Sequence, residues 1–128
     1  MSTFNKVTDE LVQELKSVLG EKGVTVDPEK LDVYKTDEEG NSYWFHTPEV
    51  VVFPETTEQV AEVVKLANKY LVPITPRAAG SGVACGASRP RRHGHGAGPH
   101  GQNPEIDTDN MYAIVQTGVR TSVIQKTV

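Results

Sequence analysis

The chain has 128 residues, 37% of them hydrophobic and 23% charged, with a net charge of -4, which is the profile of one soluble domain of ordinary size. No apolar run nears the roughly 18 residues needed to span a bilayer, and residues Met1 to Lys6 lack the basic start and apolar stretch of a secretory signal, so the cytoplasm is the default location. The single cysteine, Cys85, cannot form an internal disulfide, and the acidic balance offers no electrostatic footprint for nucleic acid.

Charge is not spread evenly. Residues 1 to 87 carry 8 Lys/Arg against 14 Asp/Glu, net -6, whereas residues 88 to 128 carry 5 against 3, net +2. Ser88 to His100 reads SRPRRHGHGAGPH, with no acid and no aliphatic residue larger than alanine. Such a stretch buries too little apolar surface to offset its ordering entropy.

In chain order, Leu11, Leu15, Val18 and Leu19 recur at helical spacing behind a Thr8 cap, with Gly20 just past the end. The pattern predicts a surface helix over Thr8 to Leu19. Val24 to Val26, and then Pro28, Leu31 and Val33, are too short to assign. The acidic run Thr36 to Ser42 reads as a loop, followed by Tyr43, Trp44 and Phe45. Val50 to Phe53 is an apolar, mostly β-branched run between two prolines, as expected of a strand buried on both faces in a parallel sheet. Thr56 or Thr57 then caps a helix to about Tyr70. Gln59 stands three residues after Thr56, at capping-box spacing, and Val60, Val63, Val64 and Ala67 line one face. Ile74 and Thr75 close a β-α-β unit whose two strands are expected to be parallel neighbours with a right-handed crossover.

After the second strand comes PRAAGSGVACGA, Pro76 to Ala87, a run made almost wholly of small residues. Glycines reach positive φ, and small side chains let successive amides converge on a phosphate, so a loop of this kind can cradle a pyrophosphate. Composition alone also suits an ordinary surface loop, and neither GxGxxG nor GKS/GKT is present. Cys85 reads as a small filler, since no histidine or acid is placed near it to activate a thiolate.

The block PEVVVFPETTEQVAEVVKLANKYLVPITPRAAGSG closely resembles the first part of the FAD-binding domain of the vanillyl-alcohol-oxidase type, in its D-lactate dehydrogenase and glycolate oxidase branch. Pro48 to Val60 matches that family's "P-x-x-V-V-x-P-x-T-x-E-x-V" entry, and Pro73 to Gly82 its "P-V/I-T-P-R-G-A/G-G-T/S-G" loop. Tyr34 to Asp37 fits a "Y-x-x-D" element, and Ile106-Asp107 through Gly118-Val119 a later "I-x-x-I-D...A-V-V-x-P-G-V" stretch.

The resemblance implies an α+β fold: the first part of a PCMH-type FAD-binding domain, a short parallel β-α-β unit with flanking helices. Residues 1–47 would form an N-terminal helical segment, 48–87 the β-α-β unit and pyrophosphate loop, and 105–128 a strand and the start of a helix. It implies FAD as cofactor, held by Pro76, Arg77, Ala78, Ala79, Gly80, Ser81 and Gly82, with Gly86, Ala87 and Gly118 further along. Ala78 replaces the family's glycine and fits only with negative φ. No catalytic residue and no metal ligand is expected. The family reaction moves a hydride from the α-carbon of a small 2-hydroxy acid, D-lactate or glycolate, to the flavin, with an electron-acceptor protein as a further partner. Without the family's substrate domain, the chain is expected to be inactive as written and to hold FAD weakly or not at all.

Residues 88–104 break the resemblance, because the family has there an apolar strand followed by a segment of the kind "L-x-R-M-N-K-I-L-x-I-D". Shifted by one nucleotide, codons for Arg91 to Pro104 can encode V-G-T-G-M-V-L-D-R-M-D-K-I-L, so two compensating frame changes account for the anomaly. As written, the segment's Gly and Pro content predicts no regular element over Arg91 to Pro104. The alternative takes His93, His95 and His100 with Arg89, Arg91 and Arg92 as the tract of a non-catalytic metal- or nucleotide-binding module. Glycine-separated histidines lack the preorganisation of a tetrahedral site.

Overall fold

The computed structural model describes residues 4–38, 43, 45–84, 86, 93–96, 105–115, 119 and 121–127, with backbone alone at 93–96. In chain order the elements are α1 (Asp9–Leu19), a single 3-10 turn (Glu21–Gly23), β1 (Val24–Thr25), α2 (Pro28–Asp32), β2 (Val51–Val52), α3 (Thr57–Tyr70) and β3 (Ile74–Arg77). Then follow β4 (His93–Gly96), β5 (Glu105–Asp107), β6 (Tyr112–Ile114) and α4 (Thr121–Thr127).

Both long helices start where the sequence says they should. Thr8 Oγ1 accepts from the Leu11 amide, and α1 ends at Gly20, whose φ of 75° suits a glycine. Thr56 Oγ1 accepts from the Gln59 amide at 3.2 Å, while the Glu55 amide donates to Gln59 Oε1 at 2.6 Å, which satisfies a donor that would otherwise be orphaned. The buried faces differ from the periodic expectation. In α1, Val12 joins Leu11 and Leu15, and Val18 is only half-buried. In α3 only Val63 and Ala67 are buried, and Val60 and Val64 face out. Leu11, Leu15, Val24, Val50, Val52, Val63 and Val72 form the core between these helices and the sheet.

The sheet has four strands in the order β1-β2-β4-β3. β1 runs antiparallel to β2, pairing Val24 with Val52, and β4 runs parallel to both β2 and β3. Two expectations are corrected here. The Val50 to Phe53 strand, reduced to Val51–Val52, does not pair with Ile74–Thr75 as a neighbouring β-α-β unit, because β4 lies between them. The segment Arg91 to Pro104 is not without regular structure, because His93–Gly96 is that intervening strand. Its backbone groups find partners on both sides, and ladder pairing prevails over a composition poor for strands. β3 is also longer than expected, reaching Arg77, and it tolerates Pro76 because it is an edge strand with an unpaired side.

β5 and β6 form a separate antiparallel hairpin closed by Asp107, which accepts from the Asn110 amide and side chain, both at 2.9 Å. Residues 105–128, expected to hold one strand and a helix start, thus hold a hairpin and α4. No described helix is long and apolar enough to cross a membrane.

Glu14 ties α1 to α3, its Oε1 accepting from Lys69 Nζ at 2.6 Å and from the Tyr70 hydroxyl at 2.7 Å. Lys69 and then Tyr70 hold the Glu14 carboxyl below its ordinary 4.5, and Glu14 in turn raises Lys69. A lowered carboxylate stabilises the fold fully above its ordinary value, and that contribution is lost as pH falls through the lowered one. Acid titration should therefore cost the wild type more stability than Glu14→Gln below pH 4.5, with the two denaturant midpoints drawing together. Parallel curves would show that the tie contributes nothing.

Candidate functional site

The run of small residues leaves β3 at the edge of the sheet. Strand geometry continues through Arg77, so Pro76 and Arg77 belong to β3, and the loop proper begins at Ala78. Ala78, Ala79, Ser81 and Gly82 are exposed and Gly80 is half-buried. Among the described residues, the amides of Ala79, Gly80, Ser81 and Gly82 donate to no other group. Described non-glycine residues with positive φ are Leu71 and Met111 only, so Ala78 holds the negative φ that an alanine requires. Gly80 does use its freedom, with φ 75°. A Cβ added at Gly82 or Gly86 would meet nothing within 4 Å, which leaves the backbone open to close approach. Ala87 and Gly118 lie outside the described residues, as does Cys85.

Behind the loop stands the segment that follows α2. Arg77 Nη1 donates to the Thr36 carbonyl at 2.5 Å, the Arg77 guanidinium lies 5.6 Å from the Tyr34 ring centroid, and the Glu38 amide donates to the Gly82 carbonyl at 3.2 Å. Tyr34 in turn packs edge-on against Phe53, next to β2, with ring centroids 6.1 Å apart. Two buried polar residues accompany this layer: Asp37 and, on β3, Thr75, whose Oγ1 has no hydrogen-bond partner among the described residues. Periodicity gave no sign that Thr36 and Glu38 back the loop, because they do so through a backbone carbonyl and a backbone amide, which any residue type supplies.

The arrangement fits a pyrophosphate: amides with no partner among the described residues, on a largely exposed loop of small residues, with open space beside two glycines. Among the described residues no group of three or more His, Cys, Asp or Glu could hold a metal ion. The side chains of His93 and His95, and the whole of His100, Arg89, Arg91 and Arg92, lie outside the described residues.

Gly80→Ala should lower stability by about 1–2 kcal/mol, the cost of a left-handed backbone for an L-residue. Its Cβ would also fall on the Arg77 guanidinium, which must swing away and release the Thr36 carbonyl. Urea unfolding measures the first effect; a loss below a few tenths of a kcal/mol would mean that the loop readily adopts another path.

Residues 48–128 match the FAD binding domain family. Over 84 residues the chain is 37% identical to D-lactate dehydrogenase from Anaerostipes hadrus, an alignment covering 66% of this chain and 17% of the relative. Over 80 residues it is 32% identical to the GlcD subunit of glycolate oxidase from Bacillus subtilis (strain 168), covering 58% and 16%. The fold superposes on crystalline p-cresol methylhydroxylase with substrate bound at a TM-score of 0.80 and 26% identity, over 93% of this chain and 24% of that one. The chain thus spans a quarter or less of the length of these proteins.

Proposed function

We infer the function from one premise: this chain belongs to the FAD binding domain family, in the PCMH-type branch of flavoproteins, and its cofactor is FAD. On that premise we propose that residues Ala78 to Gly82 hold the FAD pyrophosphate and that the enzyme oxidises a small 2-hydroxy acid of the D-lactate or glycolate kind. The observation that carries the first part is the largely exposed loop at the end of β3, whose Ala79–Gly82 amides have no hydrogen-bond partner among the described residues. Similarity to D-lactate dehydrogenases and to a component of glycolate oxidase supports the second.

Bound FAD supplies the acceptor for the hydride leaving the alcohol carbon. The chain's own part is positioning. Backbone amides on a preformed loop meet a diphosphate without reorganising, and because they carry no net charge they favour the anion through oriented dipoles. Gly82 and Gly86 leave room for the cofactor to lie against the backbone. An electron-acceptor protein belongs to the same proposal.

An amide-resolved NMR titration of the chain with FAD tests the loop. Shifts concentrated at Ala78 to Gly82 are expected even if binding is weak, with ADP reproducing most of them and riboflavin none. Saturating FAD that leaves those amides unmoved would overturn the assignment. For the substrate, in a flavin-loaded protein that joins this chain to a substrate domain of the family, D-lactate or glycolate should bleach the oxidised-flavin band, and p-cresol should not.

A further inference from the structure

Arg77 sits at the mouth of an anion-binding loop, where a cation would ordinarily be read as a phosphate ligand. Its guanidinium is engaged elsewhere. Nη1 donates to the Thr36 carbonyl at 2.5 Å, the group lies 5.6 Å from the Tyr34 ring centroid, and it occupies the place where a side chain at Gly80 would begin. The loop therefore curls around the end of the Arg77 side chain, and the three atoms nearest the missing Cβ of Gly80 all belong to Arg77. A second stitch, from the Glu38 amide to the Gly82 carbonyl at 3.2 Å, fixes the far end of the loop to the same segment.

We propose that Arg77 is a positioning residue, an internal post that, backed by Tyr34 and Thr36, sets the curvature of residues 78–82 and so the direction of their amides. The inference rests on the reading of this loop as the pyrophosphate site. A flat guanidinium suits the task because one face can lie over an aromatic ring while its edge donates to a carbonyl. Lysine keeps the charge but has neither the plane nor the fork. Shape and charge therefore make opposite forecasts for Arg77→Lys. If charge on the phosphate is what counts, lysine retains binding; if the post is what counts, lysine fails much as methionine does.

The experiment has a readout that needs no flavin. Hydrogen exchange of the Glu38 amide reports the stitch to Gly82, and amides in α1 and α3 report the rest of the fold. Arg77→Lys, Arg77→Met and Tyr34→Leu should each speed Glu38 exchange about tenfold, the scale of one hydrogen bond to a charged group, with α1 and α3 unchanged. FAD affinity, read by the same NMR titration, should fall about tenfold for Lys and Met alike. Arg77→Lys with wild-type exchange and wild-type affinity would overturn the proposal, and so would weakened FAD binding with Glu38 exchange unaltered, the mark of a direct phosphate ligand. Wild-type loop amides that ignore saturating FAD would instead refute the reading of residues 78–82 as the pyrophosphate site, while the exchange data would still decide whether the post shapes the loop. If Arg77→Met fails to fold, Arg77→Lys and Tyr34→Leu carry the same comparison.

Discussion

Leu11→Ala is expected to lower the unfolding free energy by about 3–5 kcal/mol, in the upper part of the range for buried leucines. Leu11 is 2% exposed and joins α1 to the sheet within the core. It already borders a small, partly open apolar pocket of about 20 Å³, shared with Leu15, Val52, Val63, Ala67 and Ile74. Truncation would enlarge that pocket, and because the walls are side chains fixed on two helices and two strands, little collapse can relieve it. Against a total stability of roughly 5–15 kcal/mol, this single change removes a large share. The check is the urea midpoint at constant slope, with Val33→Ala as control, since Val33 is 69% exposed and should move by no more than about 0.5 kcal/mol. A loss under about 1 kcal/mol at Leu11 would mean that α1 does not dock on the sheet as described.

The elements that were legible in the sequence share a cause. Thr8, Gly20 and Thr56 act on groups within one helical turn, so local grammar is enough to place α1 and α3. The buried faces were read less well because Val60 and Val64 satisfy the helical period as well as Val63 does. Which of them is covered depends on where α1 lies. β1 illustrates a second limit. Val24–Thr25 is two residues long and carries no alternation to detect, yet pairing with β2 makes it a strand.

At the site, residue types marked a stretch of small residues but not where the preceding strand ends. Glycine and alanine content marked the loop, but Pro76 and Arg77 looked like part of it because proline usually ends a strand. Only the position of β3 at the sheet edge permits Pro76 within it. The partners of Arg77 and of Gly82 were beyond sequence reasoning for a related reason. Thr36 contributes a carbonyl, Glu38 an amide, and the contact spans some forty residues of chain, a separation of 41 between Thr36 and Arg77. The "Y-x-x-D" resemblance at Tyr34 to Asp37 was the one available signal, and it named a position without a role.

β4 gives the second large expected effect, because its sequence and its place in the sheet disagree. It pairs with β2 through Val51–Gly94 and Val52–His95, and with β3 from Ile74–His93 to Arg77–Gly96. An interior strand of parallel pairs ordinarily reads as Val, Ile and Leu, whereas this one is His-Gly-His-Gly. Two glycines in four residues cost strand stability through backbone entropy alone. The one-nucleotide shift of the reading frame gives T-G-M-V at the same four positions and keeps Gly94. The triple change His93→Thr, His95→Met and Gly96→Val should therefore stabilise the chain by roughly 1–3 kcal/mol, from the glycine penalty and strand propensities together. Thermal melting should rise by roughly 3–6 °C for each kcal/mol at this size. The gain should reach the cofactor loop, since position 96 is the register partner of Arg77, and a firmer β4 steadies the strand end from which Ala78 departs. Slower exchange of the Glu38 amide in the triple variant would report that transfer. A melt that is unchanged or lower would show that histidine and glycine serve this strand as well as the shifted residues do, and would remove the physical reason for suspecting the frame.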